Sequence, residues 1–167
     1  HYAVDSLGIL QVEREIIFPQ LRIHIGEHES KWRKYRAYLK EVWKDDVVPK
    51  IYINNRLWKS GAVADIQIDG TLKINHHPSE SGLRLERTFY PSTEQRLFIE
   101  QWKLTNENNG PVELKFGEVE LEKVCHGNNG EYRYGISVDV PDDMISLRGG
   151  MSLDIAIRFW ANSKDEV

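Results

Sequence analysis

Apolar residues recur at every second position along most of this chain, in short runs cut off by turn-forming residues. A period of two matches the β-strand, whose side chains point to alternate faces, and not the 3.6-residue repeat of a helix. Gln11 to Phe18 stops at Pro19, and Leu21-Arg22-Ile23-His24-Ile25 alternates up to Gly26. Lys50-Ile51-Tyr52-Ile53 leads into the turn pair Asn54-Asn55. Ile66-Gln67-Ile68 and Leu72-Lys73-Ile74 flank Asp69-Gly70-Thr71. Asp-Gly between alternating runs predicts a hairpin closed by a type I′ turn, with positive φ at both central residues. Leu83 to Phe89 alternates and stops at Pro91; in the next run Phe98, Glu100, Trp102 and Leu104 share one face. After the breakers of Asn106 to Pro111 come runs at 112–116, 119–124, 132–140 and 152–160. Short strands with a turn signal every ~8–12 residues predict an all-β fold, an antiparallel two-sheet β-sandwich. No helix–strand rhythm of a doubly wound sheet is present.

One segment departs from this rhythm. Between Ser30 and Asp46 the apolar positions Trp32, Tyr35, Leu39 and Val42 fall three and four apart, Ser30 can cap, and no Gly or Pro intervenes before Pro49. That spacing predicts one short helical insert over residues 30–46. The remainder reads as one domain over 1–161, followed by a polar tail or linker over 162–167.

The 167 residues suit one domain of the usual ~100–200 residues, long enough to bury a core without staples. The single cysteine, Cys125, excludes an intramolecular disulfide and any site needing two thiolates. A net charge of −4 argues against a protein that coats nucleic acid, and no apolar stretch approaches the ~18–20 residues of a membrane-spanning helix. The first residues, His1 to Asp5, lack the basic start and apolar core of a signal peptide. A processed secreted chain reads the same way. Location is therefore left open: periplasmic or extracellular after signal removal, cytoplasmic otherwise.

The usual catalytic constellations are missing from the pattern. Glu118, Glu120 and Glu122 fall at strand period on one face. Glycoside hydrolysis needs carboxylates facing each other across ~5–10 Å, so these three read as a solvated strand face. Asp142-Asp143, after Pro141, reads as a turn. His24, His28, His76-His77 and Cys125-His126 are potential metal ligands, but none has a local ligand spacing, and no metal or other cofactor is expected. Cys125 and His126 are neighbours, so on a strand they point to opposite faces. Gly149-Gly150 lacks the phosphate-loop pattern, and no nucleophile elbow is present.

Five Trp and seven Tyr exceed what a core of this size needs. Trp102 shares a face with Phe98 and Leu104 and reads as core, and Trp160 ends the last strand and reads as partly buried. Trp58, in the loop-like Asn54 to Gly61, is the tryptophan expected to be most exposed. Aromatic rings pack on the apolar faces of sugars, so Trp58, Trp32 and Tyr35 are the candidates for contact with carbohydrate or a partner. Lys31-Trp32-Arg33-Lys34-Tyr35-Arg36 also has the basic, aromatic character of a strand-tracking nucleic-acid surface. On a helix, however, it is an amphipathic stripe packed on a sheet.

Arg87-Thr88-Phe89-Tyr90-Pro91-Ser92-Thr93, followed by Phe98 to Asn106 with its Trp102-Lys103-Leu104-Thr105-Asn106 ending, resembles the N-terminal β-sandwich (supersandwich) domain of bacterial six-hairpin glycosidases, the group that includes α-L-rhamnosidase-like enzymes. There a strand of the type R-x-x-x-P-S precedes one ending W/Y-x-[LV]-x-N. Arg14 to Arg22 resembles the early strand of these domains and Ile68 to Leu72 their preceding hairpin, so the likeness spans most of residues 11–117. Such strand-and-turn patterns carry a fold more than an activity. In similar enzymes the catalytic carboxylates belong to a following helical barrel, and nothing in these 167 residues reads as that barrel. The resemblance implies a non-catalytic domain of a glycoside hydrolase that packs against and orients its own catalytic α/α-barrel. The chain alone is expected not to catalyse. The rival readings are a freestanding carbohydrate-binding module taking an oligosaccharide on Trp58 or on Trp32 and Tyr35, and, more weakly, a nucleic-acid-binding domain using residues 31–36. Neither nucleic acid nor a membrane is the expected partner.

Overall fold

The computed structural model describes residues 1–23, 37–127, 130–140 and 142–163. Among the described residues fifteen strands run in chain order: β1 (Tyr2–Val4), β2 (Leu10–Val12), β3 (Arg14–Ile23), β4 (Ala37–Trp43), β5 (Ile51–Ile53), β6 (Arg56–Leu57), β7 (Val63–Ile68), β8 (Leu72–His76), β9 (Leu83–Pro91), β10 (Leu97–Asn106), β11 (Val112–Phe116), β12 (Glu120–Gly127), β13 (Gly130–Asp139), β14 (Met144–Leu147) and β15 (Ser152–Ser163). The fold is all-β. A seven-stranded sheet has the order β12-β13-β15-β10-β9-β8-β7 and a four-stranded sheet the order β14-β11-β5-β6; β3-β4 and β1-β2 form separate ribbons. Every pairing between these strands is antiparallel.

Alternation along each strand decides which face of the large sheet is buried. Leu83, Leu85, Arg87 and Phe89 of β9 point inward, as do Glu100, Trp102, Leu104 and Asn106 of β10 and Ile155, Ile157, Phe159 and Ala161 of β15. Register places these residues opposite one another, Trp102 facing Arg87 on one side and Ile155 on the other. One face is thus apolar apart from Arg87, Glu100 and Asn106, and the other carries Arg84, Glu86, Gln101, Lys103 and Asp154. The four-stranded sheet covers the apolar face with Ile51, Leu114, Phe116 and Leu147, and the β3-β4 ribbon covers it with Ile16, Phe18, Leu39 and Trp43, all in one core. Full burial of such a side chain contributes about 1.5–3 kcal/mol, which is why the two layers stay together. At the β8 end Val12 closes a smaller cluster over Ile74 and Phe89.

The expected helix over 30–46 is not what the chain forms where it is described. Residues 37–43 are strand β4, paired to β3 with Phe18 opposite Leu39 and Arg14 opposite Trp43. A spacing of four is compatible with both periods: Leu39 and Trp43 share the inward face of a strand, while Val42 points out. The helical content here is one 3-10 turn, Asp45–Val47. Residues 30–36 lie outside the described residues. Asn162 and Ser163, where the polar tail is expected to start, extend β15 and pair with Arg133 and Tyr132, and residues 164–167 lie outside the described residues.

The hairpin turns exchange roles relative to expectation. Between β7 and β8 three residues intervene, and only Gly70 of Asp69-Gly70-Thr71 has positive φ, at 69°. The turn with two left-handed central residues is Asn54-Asn55, with φ of 51° and 61°, and it joins β5 directly to β6. Asparagine tolerates this conformation better than most residues because its short polar side chain bonds locally.

Candidate functional site

The most chemically loaded part of the interior is a cluster of four charged side chains from four separate elements. Arg14 opens β3, Asp45 begins the 3-10 turn after β4, Arg87 is on β9 and Glu100 is on β10. Arg87 and Glu100 occupy inward positions of alternating strands, so strand geometry alone carries them into the core. Glu100 is fully buried and accepts from Arg14 Nε at 2.6 Å, Arg87 Nε at 2.9 Å and Trp102 Nε1 at 2.7 Å, with Arg87 Nη2 in ion-pair contact at 2.6 Å. Asp45 accepts from Arg14 Nη2 at 2.8 Å, Arg87 Nη2 at 3.1 Å and the Val12 backbone N–H at 3.1 Å. Two guanidiniums and two carboxylates leave the cluster with no net charge.

Aromatic rings complete the enclosure. The Arg14 guanidinium carbon lies 5.9 Å from the Phe89 ring centre and 5.6 Å from that of Phe159; Arg87 lies 5.3 Å from Phe89 and 5.5 Å from Trp102. Rings at these distances offer their negative faces to the cations in place of lost water. Burial by itself raises the Glu100 carboxyl, but the Arg87 and Arg14 guanidiniums outweigh it and hold it below the ordinary range. Asp45 is likewise pushed up by burial and brought down further by the same two arginines. A carboxylate that is sealed, saturated with donors and held ionised cannot exchange a proton with a substrate. The cluster is a clasp between the ribbon and the large sheet.

His76, the last residue of β8, lies beside this clasp and is 2% exposed. Its Nδ1 is 2.8 Å from the Gly61 carbonyl, which can only accept, so Nδ1 carries the proton. Among the described residues neither His76 Nε2 nor Arg14 Nη1 meets a hydrogen-bonding group. Burial lowers the imidazole's pKa.

The carbohydrate candidates distribute unevenly. Trp58 is half-buried against the core, its Nε1 donating to Ser79 Oγ at 3.0 Å, and Ser79 Oγ lies 2.9 Å from Ser81 Oγ. It is more enclosed than its loop-like surroundings predict. It lines a cleft of about 620 Å³ together with Arg56, Lys59, Pro78 and Glu80. Trp32 and Tyr35, and the whole basic stretch 31–36, lie outside the described residues, as do His24 and His28. Trp102 is core, as expected, and its indole N–H serves Glu100. Trp160 is half-buried on the outer face of the large sheet, at the base of a groove of about 780 Å³.

The remaining candidates are not brought together. Glu120 and Glu122 are exposed on β12, Glu122 facing Arg133 at 3.4 Å, while Glu118 precedes the strand instead of sharing its face. Asp142 and Asp143 are exposed in a turn whose Asp143 carbonyl accepts from the Phe116 N–H. Cys125 is half-buried while its neighbour His126 is exposed. Among the described residues no group of three or more His, Cys, Asp or Glu is placed to hold a metal ion. No helix there is long and apolar enough to cross a membrane.

The residues of the R-x-x-x-P-S and W-x-L-x-N patterns all have structural work. Arg87 belongs to the clasp and Trp102 bonds it. Ser92 Oγ accepts from the Glu94 and Gln95 N–H groups and shapes the β9–β10 turn. Asn106, fully buried, donates to the Gly110 and Leu147 carbonyls and accepts from the Asn108 N–H, tying β10 to β14 of the other sheet. The patterns therefore specify an architecture, and no reacting group is among them. Comparisons with protein-family models, with curated proteins and with solved structures find no match.

Proposed function

We propose that this chain is a non-catalytic β-sandwich domain of a glycoside hydrolase, packing against and orienting a helical-barrel catalytic domain. The observation that carries this reading is the β1-β2 ribbon. Tyr2, Val4, Leu7 and Ile9 are exposed there by 42%, 40%, 75% and 55%, a run of apolar side chains on a short ribbon beside the start of β7. Such a concentration of exposed apolar surface is characteristic of a docking site. Two further observations support it. The one buried carboxylate among the described residues, Glu100, is committed to arginines, which leaves the sandwich a scaffold. The segments resembling glycosidase N-terminal domains are the ones that build its clasp and inter-sheet tie.

The test begins with the reading frame beyond codon 167, where a long series of helical hairpins is expected. Hydroxyl-radical labelling of the intact gene product then reads the side chains directly. Leu7 and Ile9 are expected to be shielded there. The internal reference is exposed Ile68, at the other end of β7 from the Val63 N–H that donates to Gly8. A frame without helical hairpins, or Leu7 labelled as fast as Ile68, overturns the reading.

A further inference from the structure

The outer face of the large sheet mixes polar side chains with Tyr90, Leu97, Ile99, Val124 and Trp160, and Trp160 is the one tryptophan among them. Alternation along β15 sends Phe159 and Ala161 into the core and leaves Arg158, Trp160 and Asn162 on the outside. Register places Trp160 between Leu97 of β10 and Gly135 of β13. Gly135 is what makes room for the indole. A Cβ there would lie 3.0 Å from Trp160 Cζ2 and 2.0 Å from the Leu121 carbonyl oxygen, so no side chain fits.

Beside this ring the β9–β10 turn, residues 92–96, stands as a wall held by its own bonds. Ser92 Oγ caps the Glu94 and Gln95 N–H groups, the Ser92 N–H donates to Leu97 O at 2.8 Å, and the Leu97 N–H donates to Gln95 O at 2.8 Å. The groove between wall and sheet, about 780 Å³, is lined by Trp160, Gln95, Ser137, Arg158 and Asn162. That volume falls within the ~300–1,000 Å³ typical of small-molecule sites. The Arg158 guanidinium is matched by Asp139 at 3.0 Å, and Glu94 stands on the wall with Arg96, so the groove has no excess of positive charge to select an anion.

We propose that this groove is a binding site for a neutral oligosaccharide. The chemistry of its lining selects that class. A sugar ring presents an apolar C–H face, which packs on an indole, and a rim of hydroxyls, which pair with amides and hydroxyls such as those of Gln95, Asn162 and Ser137. Because the wall is set by backbone and Ser92 bonds before any ligand arrives, little ordering is needed on binding. Sugar binding here needs no second domain, so it stands or falls separately from barrel docking.

The experiment titrates the whole chain with neutral malto-, cello-, xylo- and manno-oligosaccharides and with polygalacturonate, by calorimetry and tryptophan fluorescence. At least one neutral series is expected to bind with a Kd of about 1 mM or tighter. Trp160→Ala is expected to weaken it about tenfold or more, and Asn162→Ala, at an exposed position, by roughly threefold, an aromatic anchor dominating its polar neighbours. Trp58→Ala should leave affinity unchanged. Should Trp160→Ala fail to fold, Trp160→Phe and Asn162→Ala carry the same comparison. No saturable binding of any neutral sugar, binding of polygalacturonate alone, or loss through Trp58→Ala with Asn162→Ala silent would each overturn the proposal.

Discussion

Glu100 accepts a 2.6 Å hydrogen bond from the Nε of Arg14, a residue 86 positions earlier in the chain, and neither side chain meets bulk solvent. This contact, with its continuation to Arg87 and Asp45, joins the β3-β4 ribbon to the centre of the seven-stranded sheet. Because Arg14, Arg87 and Glu100 are sealed together, with half-exposed Asp45 at the edge, each buried member offsets the desolvation of the others.

Glu100→Gln leaves two buried arginines facing one carboxylate. The expected loss of unfolding free energy is about 3–5 kcal/mol, the range for breaking a buried pair by removing one partner. Urea unfolding monitored by tryptophan fluorescence measures it. A loss below about 1 kcal/mol, typical of an exposed pair, would show that the clasp is not energetically coupled.

Replacing the set together behaves differently. Arg14→Met, Arg87→Met and Glu100→Leu in one protein remove the three buried charges together and leave only Asp45, whose side chain is 34% exposed and within reach of water. The triple variant is expected to be less destabilised than the sum of its three single variants, by several kcal/mol in a cycle of this kind. Additivity of the three would contradict shared enclosure.

Stability should rise with pH in two separate windows. His76 has its pKa lowered by burial, so below the ordinary imidazole value of ~6.5 the unfolded chain binds the proton first and unfolding is favoured. Glu100 and Asp45 are lowered in the fold, so their contribution is present above ~4, the unfolded carboxylate value, and is lost as pH falls through the folded one. Thermal melts are expected to decline gently from about pH 7 to 5 and steeply below about 4. His76→Gln should flatten the first segment and leave the second.

Two glycines on the same fold should respond in opposite ways to one added methyl. Gly135→Ala places it 2.0 Å from the Leu121 carbonyl, and a loss of about 1–3 kcal/mol is expected for such overpacking. Gly110→Ala, where nothing lies within 4 Å, should cost less than about 0.5 kcal/mol. Equal effects in chemical denaturation would argue that Gly135 has no steric role.

At the Asn54-Asn55 turn, Asn55 holds φ at 61°. Asn55→Gly is expected to be tolerated, while Asn55→Val should cost about 1–2 kcal/mol from the clash of a branched Cβ in the left-handed region. Denaturant midpoints of the two variants decide it.

Sequence alone settles the period: strands, their inward and outward faces, and an all-β sandwich. That information is local, because a side chain's face depends only on the parity of its position. Phe98, Glu100, Trp102 and Leu104 are legible as one face, so spacing by itself reveals a glutamate on an apolar stripe. What pairs that glutamate is not legible. Arg14, Arg87 and Asp45 come from three other elements, and no local spacing encodes a contact across 86 residues. Leu39 and Trp43 fit both a helix and a strand, and only pairing with β3 decides between them. Trp58 reads as free in its loop because its partner, Ser79, is 21 residues away. Trp160 reads as the end of a strand, and tertiary packing makes it the floor of a groove by bringing Gly135 and the 92–96 wall to either side. Parity chooses the face; packing chooses the neighbours, and chemistry depends on neighbours.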